Sequence, residues 1–314
     1  MISISHKAKQ FFLVTIKLLI VSGAIYYIYW HFNGDKKIDF NQISDYLTFK
    51  TLLILTIFSC FNWILEIFKW KHLVSSFKEI SFLEAMEQSL GSLTASIFTP
   101  NRIGEYGAKA LYFPEENTKQ IVLLNFIGNS SQMFVTTIFG VLGILLCSFD
   151  ITESMLWFSF KINFKTLFLV ILITISFIYY FKNYEFYGFS IKKLFLKILN
   201  FNYEFHRNNL WFSMMRYLVF SIQFLFLLSI FEIRLDFTTA IGTIFTMYFL
   251  ASIIPTIHFM DVAIKGSVAL FLFGQLGVED WKIAAIISIM WIFNLVLPLL
   301  VGSVFVLNFK SSRK

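Results

Sequence analysis

Charge is the first thing this sequence is short of. Only 14% of its 314 residues are Asp, Glu, Lys or Arg, against roughly 25% in soluble domains. That scarcity excludes a soluble globular domain of this length. Proline is also scarce, at 4 residues. A membrane β-barrel needs short alternating segments set off by frequent turn residues, and neither is present. The two cysteines, Cys60 and Cys147, both lie inside apolar runs, which excludes a disulfide framework and paired-cysteine metal spacing. His6, His31, His72, His206 and His258 are scattered singly, without the spacing of a metal site. No GxGxxG, P-loop or GxSxG motif occurs. The reading therefore expects no metal or cofactor, and gives nucleotide-driven chemistry no motif. The net charge of +7 does not signal nucleic-acid binding here; in an apolar chain its distribution sets topology.

What is present is apolar length. Hydrophobic residues make up 57% of the chain and mean hydropathy is +0.72. Lipid offers backbone groups no water, so long apolar runs close their hydrogen bonds as helices. A span takes about 20 mostly apolar residues. Six stretches qualify, at 11–30, 50–68, 119–147, 163–181, 210–231 and 282–308. The first follows Lys7 and Lys9 and lacks a small-residue cleavage site, so it reads as a retained anchor.

Two further apolar stretches are interrupted. Residues 81–113 break at Thr99-Pro100, and residues 237–277 break at Ile254-Pro255. Proline removes a backbone donor and disfavours helix at the preceding residue, so each stretch reads as two half-helices. With cytoplasmic termini and both stretches re-entrant, the cytoplasmic segments hold twice as many lysines and arginines as the outer ones. Complete crossings would leave the two sides nearly even, so the positive-inside rule favours re-entry.

The expected fold is an all-α polytopic membrane protein with six full transmembrane helices and two broken, re-entrant helical hairpins. It forms one transmembrane domain over 1–314. An anchor and loop (1–49) precede a first repeat (50–147). A connecting span and basic amphipathic segment (148–209) lead to an inverted second repeat (210–308) and a basic tail (309–314). Paired broken helices in inverted repeats build mid-membrane binding sites in many transporters. The breaks share chemistry as well: Pro100 is followed by Glu105 and Lys109, and Pro255 by Asp261 and Lys265.

Acid–lysine pairs at this spacing are commonplace on solvated helices. Within a span an ionisable group costs roughly 2.5–3.5 kcal/mol, so it usually lines a cavity or serves function. The richest segment is Thr99-Pro-Asn-Arg-Ile-Gly-Glu-Tyr-Gly-Ala-Lys109. A half-helix starting after Pro100 and Asn101 would point N–H groups and a positive dipole end at the break. Arg102 adds a bidentate donor for phosphate, and Gly104 and Gly107 permit close backbone approach. The open alternative is that Arg102 and Glu105 merely neutralise each other. Asn62 with Glu66, Asn125 with Asn129 and Gln132, and Arg216 with Gln223 each share a helix face. They read as supporting polar groups or interhelical hydrogen bonds. Lys192, Lys193 and Lys197 beside Leu194, Phe195, Ile198 and Leu199 fit either a helix on the cytoplasmic lipid surface or a basic loop fixing topology.

The stretch SLGSLTASIFTPNRIGEYGAKAL is similar to the glycine- and arginine-bearing motif of the lysylphosphatidylglycerol synthase transmembrane-region, or flippase-like, family. FNWILEIFKWKHLV and IIPTIHFMDVAIKGSVALFLFGQLG resemble further landmarks of that family. The last departs from the family's glycine-rich run, with His258, Phe259 and Met260 where glycines are expected. The resemblance implies a multi-pass protein of the bacterial inner membrane that binds or translocates lipids or lipid-linked intermediates, through anionic headgroups at the breaks. It implies no aminoacyl-transfer activity in this chain. A membrane enzyme acting on a lipid or polyprenyl phosphate, a non-catalytic envelope scaffold, and assembly into a homo-oligomer all stay open.

Overall fold

The computed structural model describes residues 43–99, 102–147, 191–253 and 261–309. Every regular element among them is a helix. Four come first: α1 (Phe49–Val74), α2 (Phe82–Ala95), α3 (Ile103–Ala110) and α4 (Thr118–Leu146). A 3-10 turn at Glu115–Asn117 leads into α4. Then follow α5 (Ile191–Leu199), α6 (Tyr203–Ile230), α7 (Phe237–Ile253) and α8 (Asp261–Gly274). The last rod is α9 (Asp280–Trp291), a π turn (Ile292–Val296) and α10 (Leu297–Asn308).

Among the described residues, four rods are long and apolar enough to cross a membrane: Phe49–Val74, Glu115–Leu146, Tyr203–Ile230 and Asp280–Asn308. At 1.5 Å per residue, the 26 residues of α1 extend about 39 Å, enough for a hydrocarbon core of about 30 Å. These rods overlap the expected spans at 50–68, 119–147, 210–231 and 282–308, with α1 running on to Val74 and α6 starting at Tyr203. The expected spans at 11–30 and 163–181 lie outside the described residues. The two interrupted stretches each contain a pair of helices, α2 with α3 and α7 with α8. Pro100, Asn101 and Pro255 also lie outside the described residues.

Local signals set the helix starts. Thr48 caps α1 by accepting from the Thr51 N–H at 3.2 Å. Ser81 and Glu84 form a reciprocal capping box at the start of α2, which satisfies two otherwise orphaned donors. Along α1, Phe49, Leu53, Ile57, Phe61, Ile64 and Phe68 are exposed, while Asn62, Glu66 and Lys69 are buried. Apolar groups face outward and charges inward, the reverse of a soluble helix. That is the arrangement lipid selects.

The chain forms two compact units, one of 1–147 with 208–314 and the other of 148–207. In the first unit, α2 packs on α10 and α7 packs on α4. Small residues bring these backbones together. A Cβ on Gly302 would strike the Leu90 carbonyl, and one on Gly143 would lie 2.7 Å from the Gly242 carbonyl. Thr94 also donates to the Leu299 carbonyl at 3.1 Å. Without a hydrophobic drive between helices in lipid, such close contact and interhelical hydrogen bonds carry association. In the second unit, α5 is followed by a short corner, where Asn202 accepts from the Phe205 N–H at 2.9 Å.

Candidate functional site

Among the described residues, the buried charges form two clusters. In the first, α1 presents Asn62, Glu66 and Lys69 on one face, because residues three and four apart stack on a helix. The Lys69 ammonium lies 2.7 Å from Glu66 Oε2, and Arg216 of α6 donates to the same oxygen through Nη1. Arg216 Nε donates to Asn62 Oδ1 at 3.1 Å. The Trp63 and Phe220 rings flank the guanidinium at 6.0 and 5.7 Å, within cation–π reach.

Side-chain amides extend this cluster from α1 to the π turn and on to α6. Asn62 Nδ2 reaches Asn294 Oδ1 at 3.4 Å, and Asn294 Nδ2 donates to Gln223 Oε1 at 2.9 Å. Asn294 sits inside the π turn. A π turn interrupts the regular ladder and leaves carbonyls to find other donors. Here Ser59 donates to the Phe293 carbonyl, and Trp63 Nε1 donates to the Asn294 carbonyl at 3.1 Å. Both donors come from α1.

The second cluster centres on Glu105 of α3. Lys109 approaches Glu105 Oε1 at 2.7 Å and Arg102 Nε approaches Oε2 at 3.0 Å. The Arg102 contact is an ion pair without an aligned hydrogen bond, since neither atom has a hydrogen-bond partner. Lys109 donates to Asn125 Oδ1 at 2.9 Å and stands 4.0 Å from the centre of the Trp70 ring. Trp70 Nε1 is fixed by Gln88 Oε1 at 2.7 Å. Arg102 lies within Coulombic range of Glu66 and of Asp261 on α8, so its charge is felt by the first cluster and by the second interrupted stretch.

Exposure separates Arg102 from the rest. Its side chain is 31% exposed while that of Glu105 is 2% exposed. Lys69, Lys109, Arg216 and Glu66 are all sealed in. Arg102 also holds a left-handed backbone, φ 60°, uncommon for a residue with a side chain. Such strain persists where the surroundings over-determine it, often at functional positions.

One N–H group of the expected cradle has a partner within the chain. The Gly104 N–H donates to Thr99 Oγ1 at 3.0 Å, and a Cβ there would meet Thr99 and Ser96. Gly104 thus serves packing within the chain. Around Gly107 there is open space. On α8, Asp261 and Lys265 pair at 2.5 Å with side chains 26% and 38% exposed, far more open than Glu105 and Lys109. Asn125 and Asn129 both turn toward α3, the latter donating to the Tyr106 hydroxyl at 3.2 Å. Gln132 turns instead to the Ser213 carbonyl of α6 at 3.3 Å.

Sequence reasoning passed over Asn294, Trp63 and Trp70. Asn294 had one visible signal: it is an isolated amide inside the apolar run Ile289–Leu300. The tryptophans carried none, because their polar edges matter only through partners on other helices. Among the described residues no group of His, Cys, Asp and Glu is arranged to hold a metal ion.

In sum of formal charge, two carboxylates, Glu66 and Glu105, face four cations, Lys69, Arg102, Lys109 and Arg216. Three of these cations are buried and Arg102 is part-exposed, and such an excess of positive charge attracts anions. Residues 14–302 match the family model described as the lysylphosphatidylglycerol synthase TM region. No curated protein and no solved structure gives a significant match.

Proposed function

We propose, for a chain that belongs to the lysylphosphatidylglycerol synthase TM-region family, that it binds lipids by an anionic headgroup and carries them across the bilayer. The observation that carries this reading is the excess of cations over carboxylates in the buried network. Uncompensated charge in a membrane interior is costly, and a phosphate supplies the missing negative charge together with several acceptor oxygens. Arg102, the open member, meets the headgroup first. Lys109 and Arg216 act from behind, through their field more than through contact.

The reading includes two re-entrant stretches that approach mid-membrane from opposite faces, in two inverted repeats over 50–147 and 210–308. Reciprocal packing supports it. The first helix of each interrupted stretch packs on the closing span of the other half, α2 on α10 and α7 on α4. In this arrangement the protein sits in a bacterial inner membrane with both termini cytoplasmic. Pro100, Asn101, Pro255, Asp261 and Lys265 complete the site.

The test is lipid redistribution in vesicles reconstituted with purified protein, followed with a fluorescent phosphatidylglycerol and a surface quencher. Arg102→Gln and Glu105→Gln should each abolish redistribution. Full activity in both variants removes the assigned site. A new lipid product detected by mass spectrometry would make the protein an enzyme instead.

A further inference from the structure

We propose that α5, Ile191–Leu199, is an interfacial helix that lies on an anionic lipid leaflet with its apolar face in the acyl boundary. At 100° per residue, Leu194, Phe195, Ile198 and Leu199 fall on one side, Lys193 and Lys197 fall opposite, and Leu196 lies between Lys192 and Lys193. Lys192 stands at the boundary, where a long side chain can lay its stem on lipid and lift its ammonium to the headgroups. No acidic residue occurs between Glu185 and Glu204.

The apolar side is not consumed by packing. Phe195 is 61% exposed and Leu199 59% exposed. An aqueous surface would leave these side chains in water, whereas an interface buries them. The corner after α5 is braced within its own unit. Asn202 caps the start of α6, a His206 ring nitrogen bonds to the Ile198 carbonyl at 3.1 Å, and Phe201 stacks on Phe205 at 4.2 Å. Only three residues separate α5 from α6, one of the rods fit to cross the bilayer. A connection of three residues leaves α5 within reach of the membrane surface.

Charge decides which leaflet it prefers. Each lysine near an anionic surface strengthens attachment by roughly fivefold, and salt weakens it. The occupant is therefore the anionic lipid of the protein's own membrane, and the basic side chains are the element that reads it.

The experiment uses full-length protein in nanodiscs, with single spin labels at Phe195→Cys and Lys197→Cys in a Cys60→Ser, Cys147→Ser background. Collisions with oxygen report lipid, and collisions with a water-soluble nickel chelate report water. In phosphatidylglycerol discs the label at 195 should favour oxygen and the label at 197 nickel. In phosphatidylcholine discs, or with Lys192→Gln and Lys197→Gln in the 195-labelled protein, nickel access at 195 should rise several-fold. A label on α1 at Phe61→Cys checks that the fold is retained. Nickel access at 195 in both lipids would overturn the proposal, and so would shielding of both sites from both reagents. Oxygen access unaffected by lipid charge or by the lysines would overturn its electrostatic part. None of these outcomes depends on whether the protein moves lipids.

Discussion

Glu66 on α1 and Arg216 on α6, 150 residues apart in sequence, form a buried ion pair that Lys69 shares. One carboxylate thus answers two cations where water cannot help. Removing a single member of a buried pair leaves the others uncompensated, whereas replacing all of them by apolar groups often costs little.

Glu66→Gln is therefore expected to destabilise the protein by about 3–5 kcal/mol, seen as an early unfolding transition of tryptophan fluorescence in detergent. The triple variant Glu66→Gln, Lys69→Met, Arg216→Met should recover most of that loss. Equal losses in the single and triple variants would place the cost in packing, against the electrostatic account.

Arg102 should show the opposite relation between stability and activity. Its left-handed backbone, φ 60°, costs a side-chain-bearing residue about 1–2 kcal/mol, and glycine does not bear that cost. Arg102→Gly is expected to keep or raise the melting temperature while lipid redistribution is lost. A variant with wild-type redistribution would contradict the assigned role.

The glycines divide by what surrounds them. Gly302→Ala drives a methyl into the Leu90 carbonyl and should cost about 1–3 kcal/mol. Gly107→Ala meets nothing within 4 Å and should stabilise α3 by roughly 0.5–1 kcal/mol. Melting curves of both variants, run side by side, check the pair; equal effects would refute the close packing of α2 on α10.

Asn294→Leu removes the amide that joins Asn62 to Gln223. The orphaned partners should cost about 1–3 kcal/mol. Adding Gln223→Leu should cost less than the two single changes summed, since the pair is already broken. Strict additivity in this double-mutant cycle would show that the two side chains do not interact.

The rods of the fold were legible because an apolar run longer than a bilayer is a one-dimensional signal. The match of α4 to its expected limits reflects that, whereas α1 runs past its expected end at 68 to Val74 and α6 begins at Tyr203, before the expected 210. The Glu105–Lys109 pair was legible for a related reason, since its partners are one helical turn apart. Arg216 was marked as costly in lipid, yet nothing near it in sequence named Glu66 as its partner. The stripe of Asn125, Asn129 and Gln132 was visible too, but its members turn to α3 and α6 separately, according to which helix each meets. The π turn was least legible. Its carbonyls are satisfied by Ser59 and Trp63, more than 200 residues earlier in the chain, so its existence depends on a neighbour that local propensity does not register.

The crossed packing of α2 on α10 and α7 on α4 has a consequence for biosynthesis. When α2 leaves the ribosome, the helix that covers its small-residue face has yet to be translated. The first half must wait in the bilayer with Gly91 and Thr94, which meet Phe305 and Leu299 of α10 in the finished protein, still lacking that cover. Completion of this packing is tied to the arrival of α10, and a chain that stalls before it leaves that face of α2 open.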